Sequence, residues 1–153
     1  MKKVIYINIV SYLYALLFLY TGISKFIDQE PFRQALYKSP LPKQIVPQFV
    51  IGIPLLELII AFALLLPFFQ PEFQWRKWGL YAGVSLMTLF TLYVGYMLRF
   101  QNGHLPCSCG GIIQKMNWRQ HFYFNSGFTT LGMLAVWLNN QHLKTQKNKL
   151  VFS

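Results

Sequence analysis

The chain has 153 residues and a formal charge of +10; 54% of its residues are hydrophobic, 18% aromatic and only 12% charged, with a mean hydropathy of +0.35. That excludes an ordinary soluble domain, in which about a quarter of residues are charged, and the length allows one domain, 1–153. The Lys and Arg residues sit in gaps between apolar runs and do not collect on one polar face, which argues against nucleic-acid binding and for loops at anionic lipid headgroups.

Four apolar segments follow in chain order, at about 4–23, 49–69, 78–98 and 122–138. Each approaches the roughly 20 residues that cross a hydrocarbon core as a helix, and none carries the polar face that a soluble bundle requires. The expected architecture is all-α: a four-transmembrane-helix antiparallel bundle forming one integral membrane domain. Lys2 and Lys3 precede the first segment as in a signal peptide, but it is long for one and has no small-residue cleavage site, so it reads as a retained helix.

The connections differ in character. Residues 24–48 carry Pro31, Pro40, Pro42 and Pro47. Within them PFRQALYK places Phe32, Ala35 and Leu36 at i, i+3 and i+4, the pattern of a short amphipathic helix lying at the membrane interface. Residues 70–77 read as a tight turn, and residues 99–121 form the second long connection. The basic tail from residue 139 is expected to fray. Trp75, Trp78, Trp118 and Trp137 fall near segment ends, as an aromatic belt would. Four crossings put both termini on one side, and Lys and Arg then count seven against seven. The charges on the terminal side are packed into shorter stretches, which favours cytoplasmic termini and external connections at about 24–48 and 99–121.

The second connection contains HLPCSCGG, with the chain's two cysteines, Cys107 and Cys109. Pro106 and the Gly110-Gly111 pair favour a turn. A disulfide across one intervening residue closes a very small ring, departs from preferred geometry and is easily reduced, so it is a poor staple and a reasonable exchange centre. An outside thiolate attacking one sulfur makes a mixed disulfide that the other cysteine resolves. Arg99, Lys115 and Arg119 flank the pair in sequence, and nearby positive charge favours the thiolate. The same residues admit a metal reading, in which His104, Cys107 and Cys109 hold Cu(I) or Zn(II). They also admit a bland one, two inert buried cysteines.

Glu57, in IPLLELII, lies well inside the second apolar segment, where an unpaired carboxylate is costly. Lys25, at the end of the first segment, is its candidate partner. Pro54, one turn before Glu57, is a candidate kink that opens space beside it. His121, Asn125, Ser126 and Thr129 share the start of the fourth segment and read as an interhelical hydrogen-bonding seam.

TGISKF resembles the Gly-x-x-Lys-hydrophobic end of the first helix in the DoxX-like membrane proteins, and PLLELI resembles their second-helix motif with its intramembrane Glu. PCSCGG resembles the Pro-Cys-x-Cys-small motif of the related methylamine-utilisation MauE family. The resemblance implies a four-helix protein of the bacterial inner membrane that transfers electrons or forms disulfides on the periplasmic side. In it Cys107 and Cys109 are the redox pair, Glu57 is the intramembrane acid, and the partner is a thioredoxin-like or disulfide-containing protein. By analogy a bilayer quinone is the electron acceptor such a bundle admits. Two other readings stand beside this one: a non-catalytic assembly or anchoring subunit of a larger membrane complex, and a Cu(I)- or Zn(II)-handling membrane protein. Solute transport is remote for a chain with one intramembrane acid and so few spans.

Overall fold

A computed structural model describes residues 2–69, 75–100 and 117–151. Among these residues the chain is entirely helix and short turns. The elements are α1 (Lys2–Ile27), α2 (Gln29–Lys38), α3 (Val46–Phe69), α4 (Trp75–Phe100) and α5 (Trp118–Val151).

Three of them contain stretches long and apolar enough to cross a membrane: Lys3–Ile27, Val46–Pro67 and Lys77–Phe100. Their outward faces are apolar where a soluble helix would carry charge. On α1 the exposed stripe is Ile5, Ile9, Leu16, Tyr20 and Ile23; on α3 it is Ile51, Leu55, Ile59, Phe62 and Leu66. The fourth predicted segment lies inside α5, which interrupts its apolar run with Asn125, Ser126, Thr129 and Thr130.

Inward stripes build the core. On α1 they are Ile7, Val10, Tyr14, Phe18, Thr21 and Lys25; on α3 Pro54, Glu57, Ile60, Ala61 and Leu64, each at three- and four-residue steps, as one face of a helix requires. α1 packs on α3, α3 on α4, α4 on α5, and α5 returns to α1. The bonds give directions. Lys3 Nζ donates to Gln141 Oε1 at 3.2 Å and the Tyr14 hydroxyl donates to the Phe128 carbonyl at 2.7 Å, so α1 and α5 run past each other in opposite directions. Tyr81 donates to Asn140 Oδ1 at 2.7 Å and the Thr91 and Thr129 hydroxyls meet at 3.0 Å, which orients α4 against α5 in the same way. The remaining core hydroxyls turn back on their own helices: Ser11 donates to the Ile7 carbonyl at 2.8 Å and Thr88 to the Val84 carbonyl at 2.7 Å. That is how a hydroxyl is satisfied in apolar surroundings.

The amphipathic segment forms α2 as its spacing predicts. Phe32 and Leu36 bury against Val46 and Val50 of α3, while Arg33 and Glu30 pair at 2.5 Å on the exposed side. The helix stops at Ser39, whose hydroxyl donates to the Leu36 carbonyl at 2.6 Å, just before Pro40 removes a backbone donor.

Three expectations need correction. The basic tail does not fray from residue 139; α5 continues through it to Val151, because Asn139 is buried and Asn140 and Gln141 are tied to α4 and α1. Arg76 and Lys77 belong to the first turn of α4, not to a connecting turn, since no Gly or Pro separates them from Trp75. Trp118 is not part of an outward aromatic belt. It is 8% exposed and packs with Val94 and Met97, whereas Trp78 and Trp137 do face outward.

The start of α5 explains the last point. Gln120 N–H donates to Asn117 Oδ1 at 3.0 Å and Asn117 N–H donates to Gln120 Oε1 at 2.9 Å, a reciprocal capping box. This cap sets the first turn so that Trp118, His121 and Asn125 share the inward face. Asn117→Ala should therefore cost about 0.5–2 kcal/mol and loosen the first turn of α5; hydrogen exchange of the Trp118–His121 amides measures it, and unchanged protection would contradict the capping role.

Candidate functional site

The site is built where the inward stripes of α1 and α3 meet. Lys25 closes the α1 stripe and Glu57 occupies the α3 stripe one turn after Pro54. Lys25 Nζ donates to Glu57 Oε1 at 2.5 Å, and the side chains are 4% and 1% exposed. The predicted partnership is thus realised between residues 32 positions apart in the chain. Two rings hold the ammonium from other sides: Phe32 of α2 and Phe90 of α4 each lie with their centroids 5.5 Å from Nζ, the range of cation–π attraction. Four helices therefore converge on one charge.

The pair meets because α1 and α3 approach closely at its level. A Cβ on Gly22 would meet the Leu58 side chain at 3.1 Å and the Pro54 carbonyl at 3.2 Å. Pro54 lies inside α3 without interrupting it, and it is fully buried at this contact.

Satisfaction of the carboxylate is incomplete. Oε2 of Glu57 is buried and has no hydrogen-bond partner. Thr21 lies beside the carboxylate, one turn before Lys25. Its hydroxyl proton, however, is given to the Leu17 carbonyl at 3.0 Å. A buried carboxylate oxygen without a donor is costly.

Lys25 and Glu57 are among the residues that line a cavity of about 380 Å³. α1 contributes Thr21 and Lys25 to its walls, α2 Phe32 and Ala35, α3 Ile53 and Glu57, α4 Phe90 and Met97, and α5 Trp118, His121 and Asn125. The walls are almost wholly apolar and aromatic; Thr21, Lys25, Glu57, His121 and Asn125 are the polar residues among them. His121 and Asn125, together with Thr129 one and two turns further, are the buried part of the seam expected on α5. Ser126 is only half-buried and its carbonyl accepts from Thr130 at 2.9 Å.

His104, Cys107 and Cys109 lie outside the described residues. The stretch that carries them leaves α4 at Phe100 and re-enters at Asn117. The adjoining turns, at Met97 and at Trp118 and His121, both line the cavity. None of the described His, Asp or Glu side chains gathers into a group of three suited to a metal ion.

Sequence reasoning missed Tyr14 and Gly132. Tyr14 is fully buried, its ring edge-on to Phe18 and tilted against Phe128, both centroids at 5.8 Å. Its hydroxyl reaches the Phe128 carbonyl only because residue 132 has no side chain: a Cβ there would overlap the Tyr14 oxygen and come within 2.6 Å of Val84. The period of the α1 stripe could have nominated Tyr14; nothing local marks Gly132.

These features describe a helical membrane protein with a buried ion pair on the wall of a lipophilic cavity. The chain matches the family model described as methylamine utilisation protein MauE over residues 3–138. It belongs to the MauE family, a family of membrane proteins associated with methylamine utilisation. No curated protein and no solved structure matches it.

Proposed function

We propose that this protein is a four-span redox protein of the bacterial inner membrane that exchanges disulfides with a periplasmic partner through Cys107 and Cys109. The observation that carries this reading is topological. Both ends of the cysteine-bearing stretch are rooted in turns that line the cavity holding Lys25 and Glu57, so the two chemically active features share one end of the helices.

The finer architecture belongs to the same proposal. α5 acts as the fourth span of a DoxX-like antiparallel bundle, its outward face formed by Tyr123, Met133, Leu134 and Trp137. The family match runs through nearly all of the chain up to residue 138, in keeping with a single domain. Burial of Lys25 against Glu57 removes it from the charges of the connections. The opposing count becomes six against seven on the side of the termini, and the excess favours cytoplasmic termini and a periplasmic cysteine stretch.

The exchange is balanced as follows. A partner thiolate attacks one sulfur of the Cys107–Cys109 disulfide, forming a mixed disulfide and releasing the other sulfur as a thiolate. The second partner thiolate then breaks the mixed disulfide, leaving the partner oxidised and Cys107 and Cys109 reduced. A thioredoxin-like or disulfide-rich protein supplies suitable thiols, and the MauE description is in keeping with a role in maturing such a protein.

The test is thiol labelling in intact cells with a membrane-impermeant maleimide, joined to exchange assays in proteoliposomes. Labelling of Cys107 and Cys109 only after mild reduction, and loss of exchange to background in Cys107→Ser or Cys109→Ser, are expected. Full exchange by the double Ser variant, or labelling that requires permeabilised membranes, would overturn the proposal.

A further inference from the structure

The cavity presents hydrocarbon, although Thr21, Lys25, Glu57, His121 and Asn125 belong to its walls. All five are buried themselves, so the surface left to an occupant comes from Phe32, Phe90 and their apolar neighbours. Such a space offers water too few partners to hold it. The cavity is also not sealed. Phe49 and Leu56 of α3 and Leu89 of α4 line it and are 38%, 44% and 62% exposed, so it opens at the surface where those two helices lie side by side. Both helices contain stretches apolar enough to cross a membrane, and in a bilayer an acyl chain stands against such a face. The volume of about 380 Å³ lies near the lower end of small-ligand pockets, roughly 300–1,000 Å³, which is room for one chain rather than two.

The charges at the same end of the helices choose the headgroup. Lys38 and Lys43 follow the cavity-lining Leu36 and Leu41 by two residues, Arg99 follows Met97 by two, and Arg119 follows Trp118 directly. All four are exposed. They belong to α2 and the turn after it, to the end of α4 and to the start of α5, so separate segments bring positive charge to the end where the cavity lies. Two exposed acids stand against them among the described residues, Asp28 and Glu30, and Glu30 is taken by Arg33. Inside the cavity Lys25 adds no free charge, because Glu57 neutralises it. An anionic headgroup is therefore drawn to the rim, not to the interior.

We propose that this cavity binds one acyl chain of an anionic glycerophospholipid, which enters between α3 and α4 while its phosphate lies among Lys38, Lys43, Arg99 and Arg119. The site requires only that the protein lies in a bilayer. It uses neither the cysteines nor disulfide exchange, so it stands or falls separately from the redox reading. The bound chain fills the space that five helices enclose and completes the apolar packing on the cavity side of the Lys25–Glu57 pair.

The test uses the full chain in uncharged detergent micelles, carrying Trp75→Phe, Trp78→Phe and Trp137→Phe so that Trp118 on the cavity wall is the sole indole. Its fluorescence is followed while phosphatidylglycerol brominated along one acyl chain is added, and in a second titration the matching phosphatidylcholine. Saturable quenching at one phosphatidylglycerol per chain is expected, with phosphatidylcholine at least about tenfold weaker. Each basic side chain near an anionic lipid is worth about fivefold, so Lys38→Gln/Lys43→Gln should weaken phosphatidylglycerol by about tenfold or more and leave phosphatidylcholine unchanged. Ala35→Phe, which fills the cavity from α2, should abolish saturable quenching by both lipids. Both lysines are exposed, so the charge variant keeps the test decisive if Ala35→Phe does not fold. Equal affinity for the two lipids, or quenching that rises without saturation and ignores Ala35→Phe, would overturn the assignment. A co-purified neutral lipophile that phosphatidylglycerol cannot displace would do the same.

Discussion

Glu57→Ala and Lys25→Ala should each lower stability by about 3–5 kcal/mol, because each leaves a buried charge without its partner. The partner stays buried in both cases: Lys25 is enclosed by Phe32 and Phe90, and Glu57 by the α3 stripe. The double variant Lys25→Met/Glu57→Leu removes both charges and keeps apolar volume, and should recover most of the loss, since replacing a buried pair by packed hydrophobes is often neutral. Thermal unfolding of the purified protein in micelles, read as a double-mutant cycle, measures the coupling. A double variant as unstable as the sum of the singles would show that the pair is not coupled at all.

Gly132→Val should be the most damaging change remote from the ion pair. The Tyr14 oxygen already lies where the new side chain would start, and Val84 closes the space from α4. Tyr14 has no room to withdraw, being fully buried between Phe18 and Phe128 and held to the Phe128 carbonyl at 2.7 Å. Overpacking of this kind costs about 1–3 kcal/mol or more, and the displaced phenol loses its acceptor as well. Gly132→Val combined with Tyr14→Phe, which removes the obstructing oxygen, should regain part of the loss. Unfolding temperatures of the two variants and the parent check this, and equal stability of Gly132→Val and parent would refute the close approach of α1 and α5.

The family resemblance was carried by short motifs, TGISKF, PLLELI and PCSCGG, and the match over residues 3–138 bears out its MauE part. Those motifs contain Lys25, Glu57 and both cysteines, so the candidate residues are legible in the sequence. What they left open was the surroundings. The sequence marks Phe32 only as the apolar face of a short helix, yet its ring also lies against the Lys25 ammonium. Position near a segment end suggests a membrane belt for Trp118, but in the helix that the Asn117–Gln120 capping box opens it packs inward on Val94 and Met97.

The sequence by itself determined the long helices and their apolar character, and for α2 its inward face as well, because Phe32, Ala35 and Leu36 are spaced at three and four residues among polar ones. It also determined that an acid would be buried in α3, since Glu57 is surrounded by apolar residues on every side of the helix. Only the tertiary structure decided which stripe faces which. The meeting of Lys25 with Glu57, the entry of Tyr14 against Gly132 and the cavity that five helices line all depend on how far one helix slides and turns against the next. That is set by close packing of side chains distant in sequence, and no local pattern records it.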